Sequence, residues 1–131
     1  MGLDMYLYGC KDEYHTGDYN IGHRMTFDQI GYWRKSNCIH KWFVELFQQN
    51  NDDCRFSYPL YKEDLQALKD RCEDVLLEPE RAEELLPTQE GFFFGDTGYN
   101  ENYAYDLKET IEICNWCLNS DYESFYYCSS W

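Results

Sequence analysis

Hydrophobic positions recur every three to four residues along three stretches of the chain, a spacing that places apolar side chains on one face of a helix. The first stretch predicts a helix over residues 26–49, which the Asn and Asp residues that follow would end. The second and third predict helices over residues 65–76 and 103–118. Between these two, residues 79–87 predict a short helical turn that Pro87 closes, because the residue before a proline disfavours the helical conformation.

Between the helical stretches lie short runs that favour β-strands. They predict strands at residues 5–9, 55–61, 91–95 and 125–131. Pro59 confines the second of these to a sheet edge or a strand end. Residues 10–25 hold turn-forming clusters, which predict a loop or a short hairpin. Together the pattern predicts one α+β domain over residues 1–131, in which about three helices pack on a small, mostly antiparallel sheet.

The composition adds a strong electrostatic constraint. Aromatic residues make up 19% of the chain, so it should bury a real core despite 25 acidic against 11 basic residues and a formal net charge of −14. Such a charge repels nucleic-acid phosphates and anionic membranes, and it attracts basic partners. We therefore expect no direct nucleic-acid ligand and no membrane binding, and no stretch approaches the roughly 20 apolar residues that a spanning helix needs.

The cysteines and the amino terminus indicate an intracellular protein with free thiols. The chain has seven cysteines, an odd number, and its first residues lack the basic and apolar regions of a signal peptide. Cys114 and Cys117 form a lone CxxC pair that faces inward on the predicted helix, which is typical of core thiols because a zinc site needs four ligands. No nucleophile–base pair or phosphate-binding loop is recognisable. The sequence therefore predicts no catalytic residue, metal site or cofactor.

The aromatic segment YWRKSNCIHKWF holds the first candidate site. On the predicted helix Trp33 lies in the apolar arc, and Asn37 and His40 fall inside the same arc. Arg34 and Lys41 lie just beyond its edge. An unpaired amide or imidazole costs about 1–3 kcal/mol when it is buried, so these polar groups must have partners.

Two interpretations of this helix face compete. In the first, Asn37 and His40 bond to backbone groups of neighbouring strands and Arg34 pairs with a carboxylate, as in a polar core network. In the second, the helix lines a pocket in which Arg34 offers a bidentate donor, Asn37 an amide and His40 a titratable group. Trp33 and Lys41 complete this candidate ligand site, which suits an anionic or nucleotide-like small molecule better than a metal.

A second candidate is a cluster of acidic side chains around the second predicted helix. It comprises Asp70, Glu73, Asp74, Glu78, Glu80, Glu83 and Glu84. One interpretation is a solvated face that keeps an aromatic-rich protein in solution. The other is a surface that docks on a basic groove, as a mimic of the phosphate backbone would, with association that is fast at low salt and slows as salt rises.

Five sequence segments occur in the same order as in a family of small proteins from bacteriophages and prophages. They are MGLDMYLY, YWRKSNCIHKWF, DDC, ELLPTQEGFFFG and the terminal FYYCSSW. The chain is therefore similar to that family over most of its length, and it departs from the family at Tyr61, which takes the place of a Ser helix cap. The resemblance implies a viral origin and action in the cytoplasm of a bacterial host, and it implies no established activity.

Small acidic phage proteins without catalytic motifs are often inhibitors of bacterial defence, and by this analogy we expect an anti-CRISPR-like or other anti-defence inhibitor. Its partner would be a host protein with a basic surface, such as a CRISPR effector or a restriction enzyme. The alternative is a protein that binds or sequesters a nucleotide-like ligand, or a small enzyme, through the face of Arg34, Asn37 and His40. A third interpretation is assembly with other phage components.

Overall fold

The computed structural model describes the chain at residues 2–17, 20–91 and 93–131, with backbone alone between residues 12 and 26. Its elements in chain order are β1 (Asp4–Gly17), β2 (Asn20–Arg34), α1 (Asn37–Phe47), α2 (Lys62–Leu77), a 3₁₀ turn (Pro79–Arg81), α3 (Ala82–Leu85), α4 (Glu101–Leu118) and β3 (Ser124–Ser130). The strands form an antiparallel sheet in the order β2–β1–β3. The predicted α+β class with an antiparallel sheet is therefore confirmed.

Side chains alternate along β1 between two environments. Met5 and Leu7 point to the inner face of the sheet and are fully buried, whereas Tyr6 and Tyr8 point outward and remain partly exposed. Leu7 lies opposite Tyr127 of β3, which places this fully buried tyrosine on the inner face as well. The sheet therefore has one face for the core and another that is lined by tyrosines.

One hydrophobic cluster joins the inner face of the sheet to the helices. Phe43 of α1 stacks on Tyr127 at a ring-centroid distance of 4.1 Å and meets Trp33 edge-on at 5.8 Å. Fully buried residues of α2 and α4, such as Leu65 and Leu107, belong to the same cluster. Burying a large apolar side chain contributes about 1.5–3 kcal/mol, so this layer is the main source of stability.

The predicted helix over residues 26–49 is wrong in its first half. The residues before Lys35 continue β2, and α1 begins only at Asn37. Pairing with β1 along the whole hairpin outweighs the local helical spacing. Gly31 serves this arrangement, because a Cβ there would lie 3.0 Å from the Ile113 side chain and α4 packs directly on the strand. Lys35, with a φ of 56°, then turns the chain from the strand into the helix.

The predicted edge strand over residues 55–61 is not formed as a strand. Leu60 exchanges backbone hydrogen bonds of 2.7 and 2.8 Å with Phe125 of β3, which makes an isolated bridge. The Tyr58 N–H donates instead to the Phe47 carbonyl at the end of α1, and the proline that follows has no N–H to give. The segment therefore lies beside β3 without continuing the sheet.

The predicted strand over residues 91–95 is also wrong for the part of it that the structure describes, and Phe92 lies outside that part. The Phe94 N–H donates to the Gly91 carbonyl at 3.1 Å, which makes a turn. Gly95 follows with a φ of 81°, a conformation that L side chains rarely adopt. The turn directs the backbone carbonyls of Phe94 and Asp96 towards the start of α1, where they accept hydrogen bonds from the Asn37 side chain.

The other predicted elements are confirmed. α2, α4 and β3 correspond to the two later helices and the last strand, and the short helical turn predicted over residues 79–87 is the 3₁₀ turn and α3, which end at Leu85. Tyr61 is the residue before α2, at its amino-terminal cap. For residues 10–25 the sequence predicted a loop or a short hairpin; a hairpin forms, and it is longer than predicted because β1 extends to Gly17 and β2 begins at Asn20. Among the described residues, no helix has the length and apolar character to cross a membrane.

Candidate functional site

The five candidate ligand residues of the aromatic segment fall on two elements. Trp33 and Arg34 end β2, whereas Asn37, His40 and Lys41 lie on α1. The structure brings Arg34 and Asn37 to the wall of one cleft. Trp33 and His40 are instead buried in the core, and Lys41 is not among the residues that line the cleft.

The two strand residues make contacts of different kinds. Trp33 is 1% exposed, and its indole N–H donates to the Thr110 hydroxyl at 2.9 Å. The Arg34 side chain is half-exposed, and its guanidinium donates to the Asp4 carboxylate at 2.8 Å. The Tyr32 hydroxyl donates to the same carboxylate at 2.5 Å, and these hydrogen bonds, Tyr32 first, hold the pKa of Asp4 below its usual value.

His40 is the centre of a buried hydrogen-bond network. Its side chain has no exposed surface, and its Nδ1 lies 2.5 Å from the Tyr127 hydroxyl while its Nε2 lies 2.9 Å from an Asp52 carboxylate oxygen. Because an ionised carboxylate can only accept, Nε2 is the donor, and in that tautomer Nδ1 accepts from the Tyr127 hydroxyl. The Trp131 indole N–H also donates to Asp52, at 3.0 Å, and so joins the network.

Burial and hydrogen bonding set the pKa values of the groups around His40. Burial raises the pKa of Tyr127 well above its usual value. For Asp52, burial raises the pKa, but hydrogen bonds from His40 and Trp131 outweigh it and leave the pKa below its usual value. At neutral pH the network therefore holds a neutral tyrosine and an ionised carboxylate on opposite sides of the imidazole.

Asn37 joins α1 to the segment that precedes α4. Its amide N–H groups donate to the backbone carbonyls of Phe94 and Asp96, at 3.0 and 2.9 Å. Its carbonyl accepts from the Gln89 N–H at 3.0 Å. Since all these partners are backbone groups more than 50 residues away along the chain, this side chain positions that segment against the helix.

A cleft of about 320 Å³ lies between the end of β2, the start of α1 and the first turns of α4. Its polar lining includes Arg34, Lys35, Asn37, Asp96, Asn102 and Asp106. The lining thus combines cationic, acidic and amide side chains. A cleft of this size, with convergent polar groups, is suited to a small ligand.

Asp106 belongs to this cleft, although the helical pattern did not single it out. Burial raises its pKa to about 6, the Ser36 hydroxyl opposes that shift, and Glu109 adds to it. The sequence does contain a signal: Asp106 lies three residues after Tyr103 and directly before Leu107, both buried, so it is at the edge of the buried face of α4. A carboxyl group with a raised pKa in a cleft is typical of a functional site.

Replacing Asp106 with Asn should stabilise the protein at pH 7. The folded-state pKa of Asp106 is raised above the unfolded value, so folding favours the protonated form and the ionised form destabilises the folded state. After allowance for solvent screening we expect a gain of about 1 kcal/mol at pH 7, which disappears below about pH 4. Urea unfolding at the two pH values measures it, with the exposed Asp74→Asn as control. An equal gain in the free energy of unfolding at both pH values would contradict the raised pKa of Asp106.

The predicted acidic cluster is exposed in full, along the second half of α2, the 3₁₀ turn and α3. We call these seven residues the acidic surface. Lys69 and Arg81 form ion pairs of 3.3–3.5 Å with some of them. Within the described part of the chain, the members that form no ion pair are Asp70, Asp74, Glu80 and Glu83. Leu77, which is 81% exposed, lies among them at the end of α2.

The cysteines belong mostly to the core. Cys114 and Cys117 are fully buried, as predicted, and burial raises the pKa of each thiol to about 12. Such thiols are weak nucleophiles because the thiolate is scarce at neutral pH. Across the residues that the structure describes, no group of three or more His, Cys, Asp or Glu side chains is placed to hold a metal ion.

Comparison with known proteins finds no relative: no family model, curated protein or solved structure matches this chain. Its function therefore has to be inferred from its own surfaces and interior. The network around His40, the cleft at Asp106 and the acidic surface differ in exposure and in chemistry, and each is suited to a different role.

Proposed function

We propose that this protein is an acidic interaction protein that binds a basic site on a protein partner. The acidic surface carries the proposal, because all of its carboxylates are exposed. Among its described members, Asp74, Glu80 and Glu83 form no ion pair that would neutralise them. Together with the net charge of −14, these groups create a field that attracts a cationic surface and speeds its encounter with the protein.

Leu77 adds an apolar centre to the acidic surface. It is 81% exposed at the end of α2, and Glu73 and Asp74 lie one turn earlier on the same helix. An apolar residue inside a polar rim is the usual anatomy of a binding surface. The carboxylates then govern association, and Leu77 governs how slowly the complex dissociates.

The finer proposal is a phage-encoded inhibitor that acts in the cytoplasm of a bacterial host. Its partner is a nucleic-acid-handling or defence protein, such as a CRISPR effector or a restriction enzyme, whose basic groove otherwise holds phosphates. The resemblance of the sequence segments to phage proteins supports the origin. The net charge of −14 supports the partner, because a groove that attracts phosphates attracts this surface as well.

Capture of partners from infected or lysogenic bacterial cells tests this proposal. The tagged protein is used at low and at high salt, and the captured proteins are identified by mass spectrometry. We expect a basic, nucleic-acid-handling protein that is retained at low salt and lost at high salt, because salt screens exposed charges. An empty capture, or a partner that lacks a basic surface and ignores salt, would argue against the proposal.

Reversing Asp74, Glu80 and Glu83 to Lys should slow association with that partner by about tenfold or more at low salt, since these carboxylates supply unneutralised charge to the acidic surface. The difference from the unaltered protein should shrink as salt is added. Surface plasmon resonance or stopped-flow fluorescence measures the association rate.

The control for these reversals changes the net charge equally at exposed positions elsewhere. It consists of Glu101→Lys, Glu112→Lys and Glu123→Lys. If the acidic surface directs binding, this control should slow association by less than about threefold, through the overall field alone. Equal slowing by both sets would mean that net charge, and not this surface, guides the encounter.

The cleft supports a second candidate function, the binding of a small anionic or nucleotide-like ligand. The observation that favours it is the meeting of two cationic side chains, Arg34 and Lys35, with Asp106, whose pKa is raised to about 6 by burial. Lys35 also has a φ of 56°, and a residue held in the left-handed region is common at ligand sites. His40 lies in the buried network and the Asn37 amide is bonded to backbone groups, so the ligand would meet Arg34 and Lys35 instead.

Thermal unfolding with a panel of nucleotides and other anions tests the cleft. A ligand at 100 times its Kd should stabilise the protein by about 2.7 kcal/mol, since it binds the folded state alone. Lys35→Gln should abolish the shift, whereas Lys41→Gln, outside the cleft, should keep it. Shifts that both variants retain would place the ligand elsewhere.

A further inference from the structure

The outer face of the sheet, away from the helices, carries a continuous group of aromatic side chains. They are Tyr6, Tyr8, Phe27, Tyr32, Phe56 and Tyr126, and we call them the aromatic face. Neighbouring rings have centroids 5.4–6.5 Å apart. Phe56 is 57% exposed and Phe27 is 48% exposed, so large ring surfaces meet solvent.

The strand register creates the aromatic face. Tyr6 lies opposite Tyr32 of β2, and Tyr8 lies opposite Tyr126 of β3. Residues directly opposite on antiparallel strands point to the same side, so these rings form neighbouring pairs on one surface. Phe56, from the segment after α1, adds a ring 5.7 Å from Tyr8 and extends the surface beyond the strands.

Charge decides which kind of molecule can bind there. Arg34, at one end of the face, is paired with Asp4, and Arg55, beside Phe56, is paired with Asp53. Each of these arginines already shares its charge with a carboxylate, and the net charge of −14 repels nucleic acids. The same charge opposes the approach of a second copy of the chain. A cationic protein segment is the partner that this field attracts.

Arginine is the cation that fits such a surface. Its guanidinium is planar, weakly hydrated and stacks on aromatic rings, whereas the Lys ammonium is a compact and strongly hydrated charge. The Arg34 guanidinium and the Tyr32 hydroxyl both donate to the Asp4 carboxylate, so one guanidinium of the protein already lies beside a hydroxyl of this face. Exposed Tyr hydroxyls can accept hydrogen bonds from further guanidinium groups.

We propose that the aromatic face binds arginine side chains of an Arg-rich segment of a protein partner, with guanidinium groups stacked on the Tyr and Phe rings. This site is formed by the strands and the segment after α1, whereas the acidic surface is formed by α2, the 3₁₀ turn and α3. The two surfaces therefore contribute separately to binding. The acidic surface attracts any cationic partner through its charge, and the aromatic face favours Arg over Lys because its rings stack on guanidinium groups.

Titration of the whole chain with two synthetic peptides of equal charge, an Arg–Gly repeat and a Lys–Gly repeat, tests this inference by calorimetry. We expect the Arg repeat to bind about fivefold more tightly at the same salt, because the long-range field attracts both peptides and stacking favours Arg alone. Replacing Tyr8 and Phe56 with Leu keeps an apolar surface and removes two rings, so the ratio should fall below about twofold. Tyr105→Leu removes an exposed ring from α4 and should leave the ratio unchanged.

Several results would overturn the inference. Equal binding of the two peptides, or a ratio that survives the Tyr8→Leu and Phe56→Leu changes, would exclude Arg recognition by this face. Tighter binding of an oligouridine would make the face a nucleic-acid site, and a dimer that Phe56→Leu dissociates would make it a self-association surface. The Lys variants of the acidic surface should weaken both peptides alike and keep the ratio, so failure of one surface is distinguishable from failure of the other.

Discussion

Replacing His40 with Leu should lower the free energy of unfolding by about 3–4 kcal/mol, because it removes two hydrogen bonds from the core and leaves their partners behind. The Tyr127 hydroxyl is fully buried and loses its Nδ1 partner. The Asp52 carboxylate loses the Nε2 donor and keeps the Trp131 N–H. Urea unfolding followed by circular dichroism measures the loss.

A matched double-mutant cycle isolates the network from the lost packing of the imidazole ring. Tyr127→Phe removes the hydroxyl and keeps the ring that stacks on Phe43. In the His40→Leu background this change should restore about 1–2 kcal/mol, since no unpaired hydroxyl remains buried. If Tyr127→Phe instead costs the same with and without His40, the two side chains are not energetically coupled and the network is not the source of the loss.

Replacing Asn37 with Leu should lower the free energy of unfolding by about 3 kcal/mol, because backbone groups of three residues lose their hydrogen-bond partner and leucine offers none. The groups are the carbonyls of Phe94 and Asp96 and the N–H of Gln89. The effect should also be local, with faster hydrogen exchange at Gln89 than in α2. Urea unfolding and amide exchange by NMR measure the two effects.

The control is Asn119→Leu, which removes an exposed amide whose N–H donates to the Asn115 carbonyl at the end of α4. It should cost less than about 0.5–1 kcal/mol, because water replaces the exposed hydrogen bond. Asn37→Asp adds a second test: it retains an acceptor for Gln89 but turns a carboxylate oxygen towards two carbonyls. If Asn37→Leu lowers the free energy of unfolding as expected and Asn37→Asp does not, the hydrogen bonds that the Asn37 amide donates are unimportant.

These variants separate the side chains that maintain the fold from those that face a partner. His40 and Asn37 are buried and use their polar atoms within the protein. The acidic surface presents exposed side chains and the aromatic face presents exposed and half-buried ones, and changes at exposed positions usually alter stability by less than about 0.5 kcal/mol. Binding defects caused by charge reversal of the acidic surface can therefore be measured on a folded protein.

The local spacing of apolar residues was enough to predict an element where that element buries one of its faces. α2 and α4 follow the three-to-four spacing of their apolar residues, and the carboxylates around α2 are exposed because an unpaired charge is costly to bury. The helical angle also placed Asn37 and His40 in the apolar arc of the helix, and the structure buries both, even though α1 begins later than expected. That part of the candidate site could be predicted from periodicity alone.

Long-range contacts decided the remaining secondary structure and the other parts of the candidate site. Residues 26–34 have a helical spacing but pair with β1, and this pairing removed Trp33 and Arg34 from the helix. The partners of His40 lie 12 and 87 residues away along the chain, at Asp52 and Tyr127, so no local pattern could identify them. The cleft and the aromatic face are likewise assembled from separate segments.

The sequence by itself therefore determined the α+β class, the amphipathic helices and the exposed negative charge, because each depends on residues that are close together along the chain. Only the tertiary structure decided which polar groups are partners, where the cleft opens and which rings share the outer face of the sheet. These features depend on strand register and on the path of the chain, and a one-residue change of register would turn every strand side chain to the opposite face.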